Sequence, residues 1–151
     1  GFKYMPLAEL LKKSDIVSLH TPYLAETKHL INSVNIQLMK KGSYLINTAR
    51  GELVETDALL KALTTGHLAG AGLDVLESER QLKEEAELLA YQPDKIKDFK
   101  ILSEDHILIN LPQVIATPHI AFCTAEARQE IIKTTVNNIK SFLAGRAVNV
   151  V

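Results

Sequence analysis

The chain lacks most of what several function classes require. A single cysteine, Cys123, stands among 151 residues, so no internal disulfide forms and a reducing compartment fits. Tryptophan is absent, as are low-complexity stretches and internal repeats. Neither sign of charge dominates, the formal net charge being −1, and no basic stripe points to nucleic acid or a membrane surface. The apolar runs are too short to cross a bilayer, and the opening residues do not read as a secretory signal. His29, His67 and His106 lack metal-ligand spacing, so no zinc site is expected. The expected location is the cytoplasm.

What is present is an ordinary globular composition, 46% hydrophobic, in a chain long enough for a core. Residues 15–20, 43–48, 70–75 and 113–117 are short apolar runs rich in Val, Ile and Leu, the pattern of a parallel sheet covered on both faces. Helical patterns separate most of them. Pro6 to Lys13 opens with proline and ends on Lys12 and Lys13, where the helix dipole favours cations. Residues 33–41 read as a second helix stopped by Gly42, and residues 56–65 as a third stopped by Gly66. The last runs over about 124–144, with Thr124 or a neighbour as cap and Gly145 as stop. In it Ile132, Val136, Ile139 and Leu143 are spaced as one buried stripe. Residues 80–111 read as a charged, partly helical excursion between two strands, with Glu84 to Glu87 a solvated face.

Alternating strands and helices predict an α/β fold with a parallel sheet. In such sheets ligands bind beyond the carboxyl ends of the strands. Tyr44-Leu45-Ile46-Asn47-Thr48-Ala49-Arg50-Gly51 is the most telling run, because an apolar strand there ends in arginine. A guanidinium at that rim can fork onto a small carboxylate. Asp74, Glu77, Glu79 and His119 follow other strand ends. Together they form an anion-binding, proton-transferring constellation. His20 also ends a strand and is expected to be a hydrogen-bonded structural residue. Cys123 is expected to be an inert, partly buried thiol.

Five segments carry a resemblance: Ser14 to Pro22, Met39 to Gly42, Ile46 to Leu53, Leu68 to Val75, and Thr117-Pro118-His119-Ile120-Ala121. In order and spacing they resemble the D-isomer-specific 2-hydroxyacid dehydrogenases, and His119-Ile120-Ala121-Phe122 with the long excursion looks like the D-lactate and D-2-hydroxyisocaproate branch. The resemblance implies a Rossmann-type NAD-binding fold and interconversion of a 2-keto acid and a D-2-hydroxy acid. It gives Arg50 the substrate carboxylate, His119 the acid/base role, and Glu79, or alternatively Glu77, the carboxylate that pairs with the histidine. It places Thr21, Pro22, Thr27, Thr48, Ala49, Arg50 and Asp74 along the cofactor cleft, with Asp74 toward the nicotinamide end.

No Gly-x-Gly-x-x-Gly turn occurs. On the resemblance, the phosphate-binding turn, the ribose-binding acid and the substrate domain belong upstream of Gly1, and the choice between NAD and NADP lies there too. The chain is thus expected to be the C-terminal part of a dinucleotide-binding domain, to bind NAD weakly and to turn nothing over alone. Residues 15–20 would then form an exposed edge through which it associates, as a homo-oligomer or with another chain, and Phe2 to Met5 would be displaced. Two rival readings are an NAD(H)-sensing corepressor-type binding module, whose family shares these residues, and a non-catalytic remnant acting as a partner surface.

Overall fold

The computed structural model describes residues 3–79 and 99–150. Four strands, β1 (Ile16–Leu19), β2 (Ser43–Asn47), β3 (Leu68–Leu73) and β4 (Val114–Ala116), form one sheet in chain order. Every neighbouring pair is parallel. Helix α1 (Leu7–Lys13) precedes β1, α2 (Thr56–Thr64) joins β2 to β3, α3 (Phe99–Ile109) precedes β4, and α4 (Ala125–Leu143) follows it. Single 3₁₀ turns occupy Ile36–Leu38 and Gly51–Leu53. This is the α/β architecture with a parallel sheet that the apolar runs predict, and it matches the Rossmann-type fold that the resemblance implies. Glu84 to Glu87, Phe2 and most of the excursion lie outside the described residues.

The chain divides into two compact units, Gly1–His119 and Ile120–Val151. In the first, Val17, Leu19, Leu45, Ala71 and Leu73 line one face of the sheet. Leu11 of α1, Leu59 and Leu63 of α2 and Leu108 of α3 join them in one apolar cluster. Burying each such leucine is worth roughly 1.5–3 kcal/mol. The other face departs from the expectation of a doubly covered sheet, since Ile16, Tyr44 and Ile115 stay 63%, 47% and 73% exposed. The helices that join the core cluster all do so on the first face, so alternate apolar side chains of the strands have no described layer over them.

Residues 33–41 are not a helix; only the 3₁₀ turn at Ile36–Leu38 forms. The cause is local. Asn32 Oδ1 accepts from the N–H groups of Val34 and Asn35, Asn35 Oδ1 accepts from Asn32 N–H, and Asn35 Nδ2 donates to Leu30 O. Side-chain bonds of this kind offer the backbone an alternative to helix. Gly42 and Gly66 do take the left-handed conformation, at φ +83° and +69°. β1 is an edge strand, as expected of residues 15–20. Tyr4 is fully exposed.

The second unit is α4 with short flanks. Thr124 caps it by accepting from Ala127 N–H at 3.1 Å, and Gly145 follows at φ +72°. Its stripe is not buried: Ile132, Val136, Ile139 and Leu143 are all exposed. Among the described residues of the unit, no second helix or strand accompanies it. Cys123 is likewise exposed rather than partly buried. Among the described residues no helix is long and apolar enough to cross a membrane.

Candidate active site at the carboxyl rim

Because all strands run the same way, their carboxyl ends share one rim. The register pairs Leu19 with Asn47, Asn47 with Leu73, and Leu73 with Ala116. The residues that follow these four positions therefore emerge side by side. They are His20-Thr21-Pro22, Thr48-Ala49-Arg50, Asp74 to Glu79, and Thr117-Pro118-His119.

His119 has a left-handed backbone, φ +57°. Such residues are uncommon outside glycine and cluster at functional sites. Its N–H donates to Asp74 O at 2.9 Å, and its Nδ1 lies 3.0 and 3.1 Å from the two oxygens of Glu79. Nδ1 is thereby the donor to a carboxylate, which leaves Nε2 as the nitrogen that can reach a ligand. The pair is partly solvated, with 37% of the histidine side chain and 24% of the glutamate side chain exposed. Both line a cleft of about 200 Å³ with Asp74, Val75, Leu76, Thr117 and Pro118. That volume holds one end of a large cofactor, not all of it.

Asp74 ties the rim together. It is buried, its N–H donates to Asn47 O at 2.9 Å, and its Oδ1 accepts from Thr117 Oγ1 at 2.5 Å. Strands β2, β3 and β4 are thus stitched at the point where the cleft opens. Glu77 does not meet His119. Its Oε1 lies 2.7 Å from His29 Nε2 and its Oε2 accepts from Thr56 N–H and Oγ1. Between the two glutamates the sequence left open, geometry gives the histidine at the cleft to Glu79.

Arg50 is exposed just past β2, and its Nη1 donates to Ala49 O at 2.6 Å. It shares the rim with His119. Thr48 is exposed and Ala49 half-buried. Thr27 Oγ1 accepts from Leu24 N–H and donates to Pro22 O, so it folds the turn after β1. Thr21 and Pro22 are exposed at that turn. His20 is hydrogen-bonded as expected, 2.8 Å from Ser18 Oγ.

The family-level comparison decides what this rim belongs to. The model for the D-isomer specific 2-hydroxyacid dehydrogenase NAD binding domain matches residues 1–121. The chain belongs to that family. It is 44% identical to a D-specific alpha-keto acid dehydrogenase of Enterococcus faecalis over 92% of its own length and 41% of that protein's. It is 42% identical to a glyoxylate reductase of Thermofilum pendens, covering 96% of this chain and 37% of that one. Among solved structures it superposes on Aquifex aeolicus D-lactate dehydrogenase complexed with NAD and lactic acid at a TM-score of 0.79, with 44% identity, covering 95% of this chain and 41% of that one. It also superposes on a D-2-hydroxyisocaproate dehydrogenase at a TM-score of 0.81, with 34% identity, covering 98% and 42%. The chain therefore spans about two fifths of the length of these relatives.

The matched domain of the 2-hydroxyacid dehydrogenases binds NAD. The cleft's lining is compatible with part of such a cofactor: Val75, Leu76 and Pro118 give apolar walls, and Asp74 and Thr117 give polar ones. Two supporting residues escaped the sequence reading. Asn47 is 1% exposed, accepts from Ala49 N–H and donates to Arg50 O, so it shapes the arginine turn. A polar residue closing an apolar strand was the available signal. Gly51 is the other, since a Cβ there would sit 2.1 Å from the Leu76 carbonyl carbon. Glycine lets the arginine turn press onto the backbone that leads to Glu79.

Proposed function

We propose that this chain supplies the acid/base pair, the substrate clamp and part of the cofactor cleft of an NAD-dependent enzyme that interconverts 2-keto acids and D-2-hydroxy acids, resembling D-lactate dehydrogenase. The observation that carries the proposal is the Glu79–His119 pair, Nδ1 to carboxylate at 3.0 Å, on a cleft at the carboxyl rim. When bound, NADH supplies the hydride. His119 holds a proton on Nε2 and gives it to the keto oxygen of the substrate. Glu79 fixes the tautomer and the orientation of the ring through Nδ1. Arg50 swings from Ala49 O to grip the substrate carboxylate through its fork. Asp74, Ala49, Thr48 and the turn holding Thr21, Pro22 and Thr27 line the cofactor side.

In this reading the chain is the C-terminal part of the dinucleotide-binding domain, with residues 80–111 an excursion and the last helix closing it. It works in the cytoplasm. The edge strand β1, with Ile16 63% exposed, is the line along which it associates with another chain or a second copy.

The test is a stereospecific assay of the full polypeptide that carries these residues, with NADH and either pyruvate or 2-ketoisocaproate. D-2-hydroxy acid formation, lost in His119→Gln, supports the proposal. NADH binding without turnover of any 2-keto acid overturns it in favour of a cofactor-sensing module.

A further inference from the structure

Asp105 is a buried acid that the proposed chemistry does not use. It sits on α3, its residue fully buried, in a stretch that reads as part of a charged, partly helical excursion in the sequence. Its Oδ2 accepts from Ser78 N–H at 2.8 Å and from Ser78 Oγ at 2.5 Å. Its Oδ1 lies 3.3 Å from Thr56 Oγ1. A buried carboxyl with several partners is expensive to install, and burial pushes this one above the ordinary aspartate range. Stability alone would be served more cheaply by an apolar side chain.

The segment Glu77-Ser78-Glu79 shows what the acid does. Its residues are held by different parts of the unit. Glu77 is held by His29 and by Thr56 at the start of α2. Ser78 is held by Asp105 of α3. Glu79 alone reaches the cleft, where it meets His119. The anchor on Ser78, the adjoining residue, sets the backbone from which Glu79 extends, and a carboxylate must be placed to a fraction of an ångström to hold an imidazole in one orientation.

Proton counting sharpens the role. Thr56 has one hydroxyl proton, yet its oxygen lies between two carboxyl groups, 2.9 Å from Glu77 Oε2 and 3.3 Å from Asp105 Oδ1. Thr56 donates to one of them, so the other contact needs a donor on the carboxyl side. Glu77 already accepts from the Thr56 N–H and faces the His29 ring. Asp105 is the group placed to carry the extra proton. An asparagine there would make the same bonds, with Oδ1 accepting from Ser78 and Nδ2 donating to Thr56.

We propose that Asp105 is a positioning residue that acts through Ser78 to aim Glu79 at His119, by hydrogen bonding and not by charge. This rests on the function proposed above. The experiment uses the full polypeptide and its variants Asp105→Ala, Asp105→Asn, Ser78→Ala, Glu79→Gln and Asp105→Ala/Glu79→Gln. kcat and KM are measured for 2-keto acid and NADH, and NADH titration counts folded sites. We expect Asp105→Ala to lower kcat per folded site about tenfold or more, with KM for NADH changed less than about twofold. Asp105→Asn keeps kcat within about threefold of the parent. In the Glu79→Gln background, Asp105→Ala adds less than about twofold, because its route to the reaction is already cut. If Asp105→Ala does not fold, Ser78→Ala gives the same reading, with a several-fold loss that vanishes in the Glu79→Gln background. Losses that multiply in the double variant, or an unchanged kcat per folded site, overturn the positioning role. A parent without 2-keto acid turnover, or one indifferent to Glu79→Gln, shows instead that the underlying function is wrong, and the positioning role falls with it.

Discussion

Two histidine–glutamate pairs stand in the first unit, and they have opposite consequences. His119 and His29 both adopt left-handed backbones, at φ +57° and +49°. Each places a ring nitrogen on a glutamate, at 3.0 and 2.7 Å, and the two glutamates are separated only by Ser78. The difference lies in the atoms left over. Glu79 and His119 line the cleft. Glu77 has just 9% of its side chain exposed and spends its second oxygen on Thr56, at the start of α2, a helix with no side-chain cap of its own. An external carboxylate there satisfies orphan N–H groups and complements the helix dipole. The same ion-pair chemistry is thus an acid/base device at one place and a clasp at the other, decided by what the remaining atoms face.

The strongest way to break the comparison is to remove each imidazole. His119→Gln in the full polypeptide should lower kcat by roughly 10²–10⁴-fold with little change in stability. His29→Gln should leave kcat within a few-fold and cost about 1 kcal/mol of stability, the order of one hydrogen bond. Steady-state rates and urea midpoints of the two variants read this directly. Equal rate losses would end the distinction between device and clasp.

A second change strikes both pairs at once. A Cβ on Gly51 would fall 2.1 Å from the carbonyl of Leu76 and 2.5 Å from Glu77 N. These are backbone atoms, so no rotamer change relieves the clash. Gly51→Ala should destabilise by about 1–3 kcal/mol, in the manner of an overpacked core. It should also weaken activity, because the displaced backbone carries both glutamates. An alanine variant with the parent's melting temperature and kcat would show that the arginine turn and the glutamate loop are not in register.

The clasp alone is tested by Glu77→Ala. It leaves Thr56 N–H and His29 without their acceptor and should cost about 1–3 kcal/mol, with KM and kcat of the folded fraction near the parent's. A loss of kcat matching that of Glu79→Gln would mean Glu77, and not Glu79, works with His119.

These contrasts also show what the sequence could and could not say. Strand positions were legible because each is a short apolar run, and parallel order then fixes a common rim. Helix ends were legible where the signal is chemical, as in Thr124 capping α4 and Gly66 following α2. The helix expected at residues 33–41 failed because Asn32 and Asn35 bond their own backbone, a competition that a hydrophobic pattern does not register. The buried stripe on α4 and the doubly covered sheet failed for another reason. Periodicity tells which residues share a face, and says nothing of whether an element lies over it. The choice between Glu77 and Glu79 was open in the sequence because partners 48 and 40 residues away decide it. Asp105 was not singled out for the same reason: its partners are Ser78 and Thr56, from distant parts of the chain.

The smallest effect concerns pH and separates charge from hydrogen bonding at the clasp. Burial first, then the nearby charge of Glu77, pushes the Asp105 carboxyl above its ordinary value, though the bonds from Ser78 and Thr56 oppose this. The folded chain therefore holds a proton on Asp105 that the unfolded chain releases. Where the unfolded state binds fewer protons, stability falls as pH rises. The contribution from Asp105 is fully present below the ordinary aspartate range, near 3.9. It is lost as pH rises from there through the raised value, and is constant beyond. Asp105→Asn cannot titrate and lacks this fall, while the other carboxylates are common to both proteins. The stability of the parent relative to Asp105→Asn, from urea midpoints at successive pH values, should decline from acid toward neutral pH and then level. A flat difference would mean that Asp105 titrates in the folded chain as it does in the unfolded one, and a difference that rises with pH would place a charged Asp105 in the core; in either case the proton on the Thr56 bridge would have to come from elsewhere.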